Sequence, residues 1–295
     1  MTALLTDALD LPERDPATAP PRPELRRFLA NRRAVAAAVL LGTIWLASLL
    51  APVLAPHDPD QQIPGAVSLP PSGAHLLGTD GFGRDVLSRL LWGGRVSQVI
   101  GLLSTAVSVA VGAVVGAVAG YRGGIVDGAL MRLTEAMVTF PAVFVVITLV
   151  AVFGASVSLV ILALGLTAWP VTARLVRAEY LALREREFVQ AAAALGAGGG
   201  RVAWRHIAPH VAPVVIVGAT LRVGHVLLIE AGLSYLGLGV PPPAASWGGM
   251  VADGRVYLFH AWWMSFFPGL CIFLTVMTYN LLGDGLRDAL DPRGR

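Results

Sequence analysis

No lysine occurs in the 295 residues, so all 22 basic side chains are arginine. That absence excludes a phosphate-gripping loop of the GxxxxGK[ST] kind, whose lysine reaches the nucleotide phosphates. Any work drawn from nucleotide hydrolysis must therefore be done on another chain. Charge of either sign is scarce at 14%, well below the roughly 25% of a soluble domain. With 55% hydrophobic residues and a mean hydropathy of +0.68, the composition is that of an integral membrane protein. A single cysteine, Cys271, excludes an internal disulfide or a thiolate metal cluster, and its apolar surroundings suit a small packing residue. The histidines, His57, His75, His206, His210, His225 and His260, form no HExxH pattern. His206 and His210 are spaced to chelate, but Pro209 between them favours a loop or hinge. Ser234 and Ser246 have no base in sequence context. The expectation is a non-catalytic chain with no metal site, no cofactor of its own and no nucleic-acid partner.

What is present is a series of long apolar runs. Residues 1–33 are rich in Pro, Asp, Glu and Arg without hydrophobic period, and predict a disordered tail up to the surface arginines Arg26, Arg27, Arg32 and Arg33. Residues 34–55 carry no charge over 22 positions, enough for one crossing of a hydrocarbon core about 30 Å thick. The "VLA" inside them mimics a signal cleavage site, but the long leader and the length of the run favour a retained helix. A second run covers 99–120. The 38 uncharged residues from Ala136 to Ala173 would extend about 57 Å as one helix, so two crossings are expected, turning near "FGAS" at 153–156. The fifth run, about 211–235, is interrupted by Arg222 and Glu230, and the sixth is about 261–283. Gly112, Gly116 and Gly120 supply a small-residue face for close helix packing. An all-α protein of six transmembrane helices follows, with both termini on one side.

The arginines orient it, because cytoplasmic loops carry the excess of positive charge. With the termini inside, the inner segments hold 17 arginines: Arg14, Arg22, Arg26, Arg27, Arg32, Arg33, Arg122, Arg132, Arg174, Arg177, Arg184, Arg186, Arg201, Arg205, Arg287, Arg293 and Arg295. The outer segments hold four: Arg84, Arg89, Arg95 and Arg255. The N- and C-termini are thus expected to be cytoplasmic.

Between the fourth and fifth runs lies "REFVQAAAALGAGGGRVAWRHIAPH", residues 186–210. Leu181, Phe188, Ala192 and Leu195 fall on one helical face, with Arg184, Glu185, Arg186 and Glu187 covering much of the rest. Gly196 and the run Gly198, Gly199 and Gly200 break that helix. A short basic helix is expected from Arg201, with Pro209 opening the next span. The passive alternative is a basic amphipathic helix lying on anionic headgroups.

"QAAAALG" followed by "RHIAPH" resembles the EAA loop of ABC-importer permeases, with Gln190, Ala191, Ala192, Gly196, Ile207 and Pro209 in its positions. Gln190 stands where Glu is usual, and Ala208 where Leu is usual. Three further stretches are similar to signatures of the C-type, DppC/OppC-type permease subunits of peptide and nickel importers: "LLGTDGFGRDVLSRLLWGGRVS" at 76–97, "LSYLGLGVPPPAASWGGM" at 233–250 and "NLLGDGLRDALDP" at 280–292. The resemblance covers nearly everything from residue 34 onward. It implies a type I ABC importer permease fold and a division into a cytoplasmic tail 1–33, a first transmembrane helix 34–55, an extracytoplasmic scoop segment 56–94, an ABC transmembrane type-1 domain 95–285 containing the coupling loop 179–209, and a cytoplasmic tail 286–295. It further implies a multi-pass subunit of a prokaryotic cell membrane. Expected partners are a homologous B-type permease, two ABC ATPases holding ATP and Mg, and an extracytoplasmic substrate-binding protein. The implied cargo is a di- or oligopeptide, the alternative a nickel chelate or glutathione.

On that resemblance the loop is a coupling helix. Phe188, Leu195 and Trp204 are its expected apolar anchors beside the six motif residues. The outer motif is Gly78, Thr79, Asp80, Gly83, Arg84, Asp85, Ser88 and Arg89; Thr79 or Asp80 is expected to cap a helix, and Asp85 to pair with Arg89 along its surface. Residues 241–260, with three prolines and Trp247, predict a stiff, partly interfacial outer loop. Arg222 and Glu230, about 80° apart around one helix, are the candidates for the translocation path, or for a charge tie to the other permease. The competing class is an ion-coupled transporter working alone, with those two residues as coupling charges.

Overall fold

A computed structural model describes residues 23–290. The expectations for residues 1–22, and for Arg14, Arg22, Arg293 and Arg295, lie outside the described residues. The fold is all-helical: beyond one bridge between Thr79 and Asp85, no strand pairing occurs among the described residues.

The first helices are α1 (Pro23–Ala30), α2 (Arg32–Leu49) and α3 (Ala51–Leu54). Residues 23–30, expected as part of a disordered tail, are helical, and Phe28 lies against the end of the last helix near Gly285. Asn31 separates α1 from α2 by capping the latter, its side chain accepting from the backbone N–H groups of Arg33 and Ala34. The expected helix 34–55 stops early, because the chain breaks at Leu50 and Pro52 opens a separate short turn.

Then come α4 (Val86–Arg122), α5 (Gly124–Thr139), α6 (Ala142–Phe153) and α7 (Val157–Arg184). The expected reversal near 153–156 is present: Gly154 ends α6 at φ +82°, and the Ser156 hydroxyl caps α7. The third crossing starts earlier than the apolar run and is broken. Pro141 removes a backbone donor and holds Phe140 extended, so α5 and α6 meet at 78°.

After α8 (Glu187–Ala194) the chain forms one long helix, α9 (Gly199–Tyr235), then α10 (Trp247–Gly254) and α11 (Trp263–Leu290). Among the described residues α2, α4, α7, α9 and α11 are each long and apolar enough to cross a membrane, and the bent α5–α6 pair makes a sixth crossing when taken as one span.

The spine is the pairing of α4 with α7. A methyl group on Gly112 would meet Thr172 and the Trp169 carbonyl at 2.6 and 2.7 Å, and one on Gly120 would meet Tyr180 at 2.6 Å. The glycine face therefore lets two backbones approach where any side chain would hold them apart. Arg177 of α7 clamps Asp127 of α5 through two guanidinium nitrogens, Nη2 at 2.6 Å. Ile100, Val146, Val160, Leu164, Val226 and Leu233 form a core shared by α4, α6, α7 and α9. One end of the bundle collects Arg122, Arg184 and α8, and the other collects the loop 55–85 and α10.

Candidate functional site

The residues singled out in the sequence gather at both ends of the bundle. At the first end, α7 stops at Arg184, and Arg186 is extended before α8 begins. This break puts Leu181 on a different helix from Phe188, so the single face expected through Leu181, Phe188, Ala192 and Leu195 is interrupted. Gly196, at φ +85°, closes α8 with a Schellman pair: its N–H donates to the Ala193 carbonyl and that of Ala197 to Ala192, at 3.0 and 3.1 Å. Nothing crowds Gly196, so the backbone conformation is what requires glycine there.

The second arm differs from expectation. Instead of a separate short helix, the chain from Gly199 runs unbroken into the fifth span through a π turn over Val202–Ile207. Pro209 has no N–H for the Arg205 carbonyl and would press on it in a regular helix; the wider turn, with the Ala208 N–H donating back to Ala203, relieves both problems.

The hairpin is braced from within. Val189, Val202, Ile207 and Val211 pack with Val176 and Tyr180, and the Tyr180 hydroxyl donates to the Ala203 carbonyl at 3.2 Å. Ile207 is 0% exposed, so its expected place in a partner contact is corrected: it bolts the hairpin to the bundle. Leu195 is 90% and Trp204 76% exposed, and Phe188 is 41% exposed with its ring centroid 5.0 Å from that of His210. Trp204, Arg205 and Pro209 line an open cleft of about 590 Å³. Ala191 and Gly196 are exposed and Ala192 half-buried. The Gln190 amide donates to the Glu185 carbonyl at 3.2 Å, closing the end of α7, which a carboxylate at that position could not do.

At the opposite end, the outer motif is a buried knot rather than a surface helix. No helix starts at Thr79 or Asp80; the cap of α4 is Asp85, whose Oδ2 accepts from the Ser88 N–H and hydroxyl, both at 2.8 Å. The expected Asp85–Arg89 pair is replaced. Asp80 takes Arg84 at 2.6 Å and Arg89 at 3.6 Å, while Arg89 also reaches Asp60 and the Pro59 carbonyl, each at 3.1 Å. Thr79, expected as a cap, bridges the loop through Ala66 and Leu69, and its carbonyl accepts from Trp263 Nε1 at 3.2 Å. Gly78 and Gly83 lie at φ +78° and +75°, where an added methyl would strike the Leu69 and Ile63 carbonyls at 2.6 Å. Trp247 is 2% exposed, with Nε1 donating to the Leu90 carbonyl at 2.9 Å, so it anchors α10 in the protein instead of sitting at a lipid interface.

Of the intramembrane charges, Glu230 is 1% exposed and accepts from the Ser234 hydroxyl at 2.8 Å, with Ser97 and Ser246 also within its hydrogen-bonding shell. Arg222 is half-buried and donates to the Ala168 carbonyl of α7 at 3.1 Å. The two do not pair. Sequence reading named Ser234 and Ser246 without connecting them to Glu230, although Ser234 is one turn away on the same helix; Ser97 and Ser246 come from other elements and carry no such spacing. It also missed a meeting of His57, His75 and Asp85, for which no short sequence spacing exists.

Comparison with known proteins gives this arrangement a context. Residues 112–295 match the family model described as binding-protein-dependent transport system inner membrane component, and residues 25–71 match the N-terminal TM domain of oligopeptide transport permease C. The chain is 43% identical to the oligopeptide transport system permease protein OppC of Escherichia coli K12 over 272 residues, 92% of this chain and 90% of that protein. It is 40% identical to the protein of the same name from Haemophilus influenzae over 272 residues, 92% and 88% of the two chains. A protein of Brucella suis biovar 1 named as a peptide permease is 41% identical over 279 residues, 94% and 92% of the two chains.

Proposed function

This chain belongs to the family of binding-protein-dependent transport system inner membrane components, the permeases of ABC importers, and from that premise we propose that it forms half of the membrane pathway for di- or oligopeptides in a prokaryotic cell membrane. The peptide cargo rests on the names of its relatives. The observation that carries the coupling role is the hairpin, a rigid, glycine-closed turn with Phe188, Leu195 and Trp204 exposed and its inner face bolted to α7 and α9. A flexible loop would absorb a push from a partner, whereas a braced helix transmits it.

In this reading α8 docks in a cleft of a cytoplasmic ATPase subunit. Leu195 and Trp204 supply apolar anchorage, and Gln190, Ala191, Ala192 and Gly196 shape the contact. ATP and Mg reside on two such ATPases. A homologous permease completes the pathway, and a binding protein delivers cargo to the outer end formed by Gly78–Arg89 and α10. Arg222, reaching across to α7, is the candidate for the pathway wall, and Glu230 with its serines holds that wall in place.

The test is a Gly198→Cys variant in the assembled importer, with cysteines placed around the ATPase cleft. Crosslinking to the ATPase, together with ATP-dependent peptide uptake by proteoliposomes, is expected. Peptide uptake by the isolated chain without ATPases would reject this reading in favour of an ion-coupled carrier.

A further inference from the structure

His57 follows α3 where the chain leaves the first span, His75 lies in the outer loop, and Asp85 caps α4. Eighteen and ten residues separate the three in sequence, yet one ligand atom from each lies within 4.8 Å of the others. His75 Nδ1 is 2.9 Å from Asp85 Oδ1 and His57 Nδ1 is 3.7 Å from the same oxygen. The two imidazole rings stand 4.8 Å apart. His57 Nδ1 is buried and has no hydrogen-bond partner, which is costly for a polar atom unless something else occupies its lone pair.

We propose that His57, His75 and Asp85 form a binding site for a borderline divalent d-block cation, of which Zn²⁺ is the probe. Two imidazoles and one carboxylate with an open fourth position are a donor set that suits zinc. Bonds of about 2.0–2.2 Å place tetrahedral ligand atoms roughly 3.3–3.6 Å apart; the two separations from Asp85 Oδ1 bracket that range, and the two imidazoles, with ligand atoms within 4.8 Å, would close in on a bound cation. Both histidines would bind as neutral rings through Nδ1 with the proton on Nε2. The His57 side chain is 31% exposed, which leaves an entry route and room for a water in the fourth position.

The surroundings already orient the ligands. Asp85 Oδ2 is held by Ser88, so Oδ1, which meets His75 Nδ1 at 2.9 Å, is the oxygen that a cation would share with that ring in place of the proton between them. The Ser88 hydroxyl also accepts from the His57 backbone N–H at 3.1 Å, and the Ser72 hydroxyl accepts from that of His75 at 3.2 Å. Such supporting bonds are what hold metal ligands in place. A bound cation would staple the exit of the first span, the outer loop and the start of α4 into one unit. The proposal does not depend on the cargo or on the ATPase contact.

The experiment uses the full chain in detergent, purified without a polyhistidine tag. One Co²⁺ per chain with visible ligand-field bands, displaced by Zn²⁺, is expected, together with a Zn²⁺-dependent rise in Tm. His57→Gln should weaken Zn²⁺ binding by more than about tenfold and abolish the Tm response, whereas His206→Gln should leave both unchanged. His57→Cys should keep the metal and add a sulfur-to-cobalt charge-transfer band, a signature that a merely structural His57 would not produce. Absence of the cobalt bands in the wild-type chain, or unchanged Zn²⁺ affinity in His57→Gln, would overturn the site.

Discussion

Asp80 shows how much a single carboxylate can organise. Its two oxygens serve the backbone N–H groups of Phe82 and Arg84 and the guanidinium of Arg84, with Arg89 close behind, all in a protein-enclosed setting. Removing it strands the buried Arg84, whose next carboxylate, Asp253, is 3.9 Å away, and breaking such a pair typically costs about 3–5 kcal/mol. Asp80→Ala is therefore expected to lower Tm strongly and to expose the outer loop to protease, whereas Asp60→Ala, at the half-exposed edge of the same network, should cost well under half as much. Thermal unfolding of the two variants in detergent, side by side, checks the difference; equal losses would mean the network is not centred on Asp80.

On the scale of elements, the hairpin separates packing from contact. Ile207 and Leu195 are both large aliphatic residues of the same loop, yet one is enclosed and the other almost wholly in solvent. Ile207→Ala should cost about 2–5 kcal/mol through the cavity it leaves, and transport would fall with the amount of folded protein. Leu195→Ala should leave Tm unchanged while lowering peptide-stimulated ATP hydrolysis per assembled complex. If Leu195→Ala lost stability and kept coupling, the assignment of inner and outer faces would be reversed. Amphipathic spacing alone could not make this distinction. The break at Glu185 and Arg186 rotates α8 relative to α7, so the residue packed inward is Val189 and the apolar side chains most visible in the sequence face out.

For the whole molecule, the orientation expected from arginine placement has a direct check. Gly199→Cys should react with an impermeant maleimide only from the cytoplasmic side of the membrane; labelling from outside intact cells would invert the topology. The long apolar runs made the number and order of crossings readable, because lipid demands continuous apolar helices. The glycine spacing likewise announced a close helix contact, though not that α7 would be the partner. What composition could not disclose was set by single backbone events: Pro141 bending the third crossing, Pro209 widening a turn instead of starting a helix, and Leu50 ending the first span. The outer motif was legible as a set of residues but not as a structure. Its polar side chains suggested a surface helix, whereas folding the segment inward brings in partners distant in sequence, Asp60 for Arg89 and His75 for Asp85. Helix α4 links these two ends, running 37 residues from the Asp85 cap to Arg122 without a proline. At 1.5 Å per residue it is a strut about 55 Å long, well beyond the hydrocarbon thickness. Pivoting about its middle by about 10° would swing each tip roughly 5 Å, so a tilt set at the outer knot, with α7 carried along by the glycine seam, reaches the hairpin end at full amplitude.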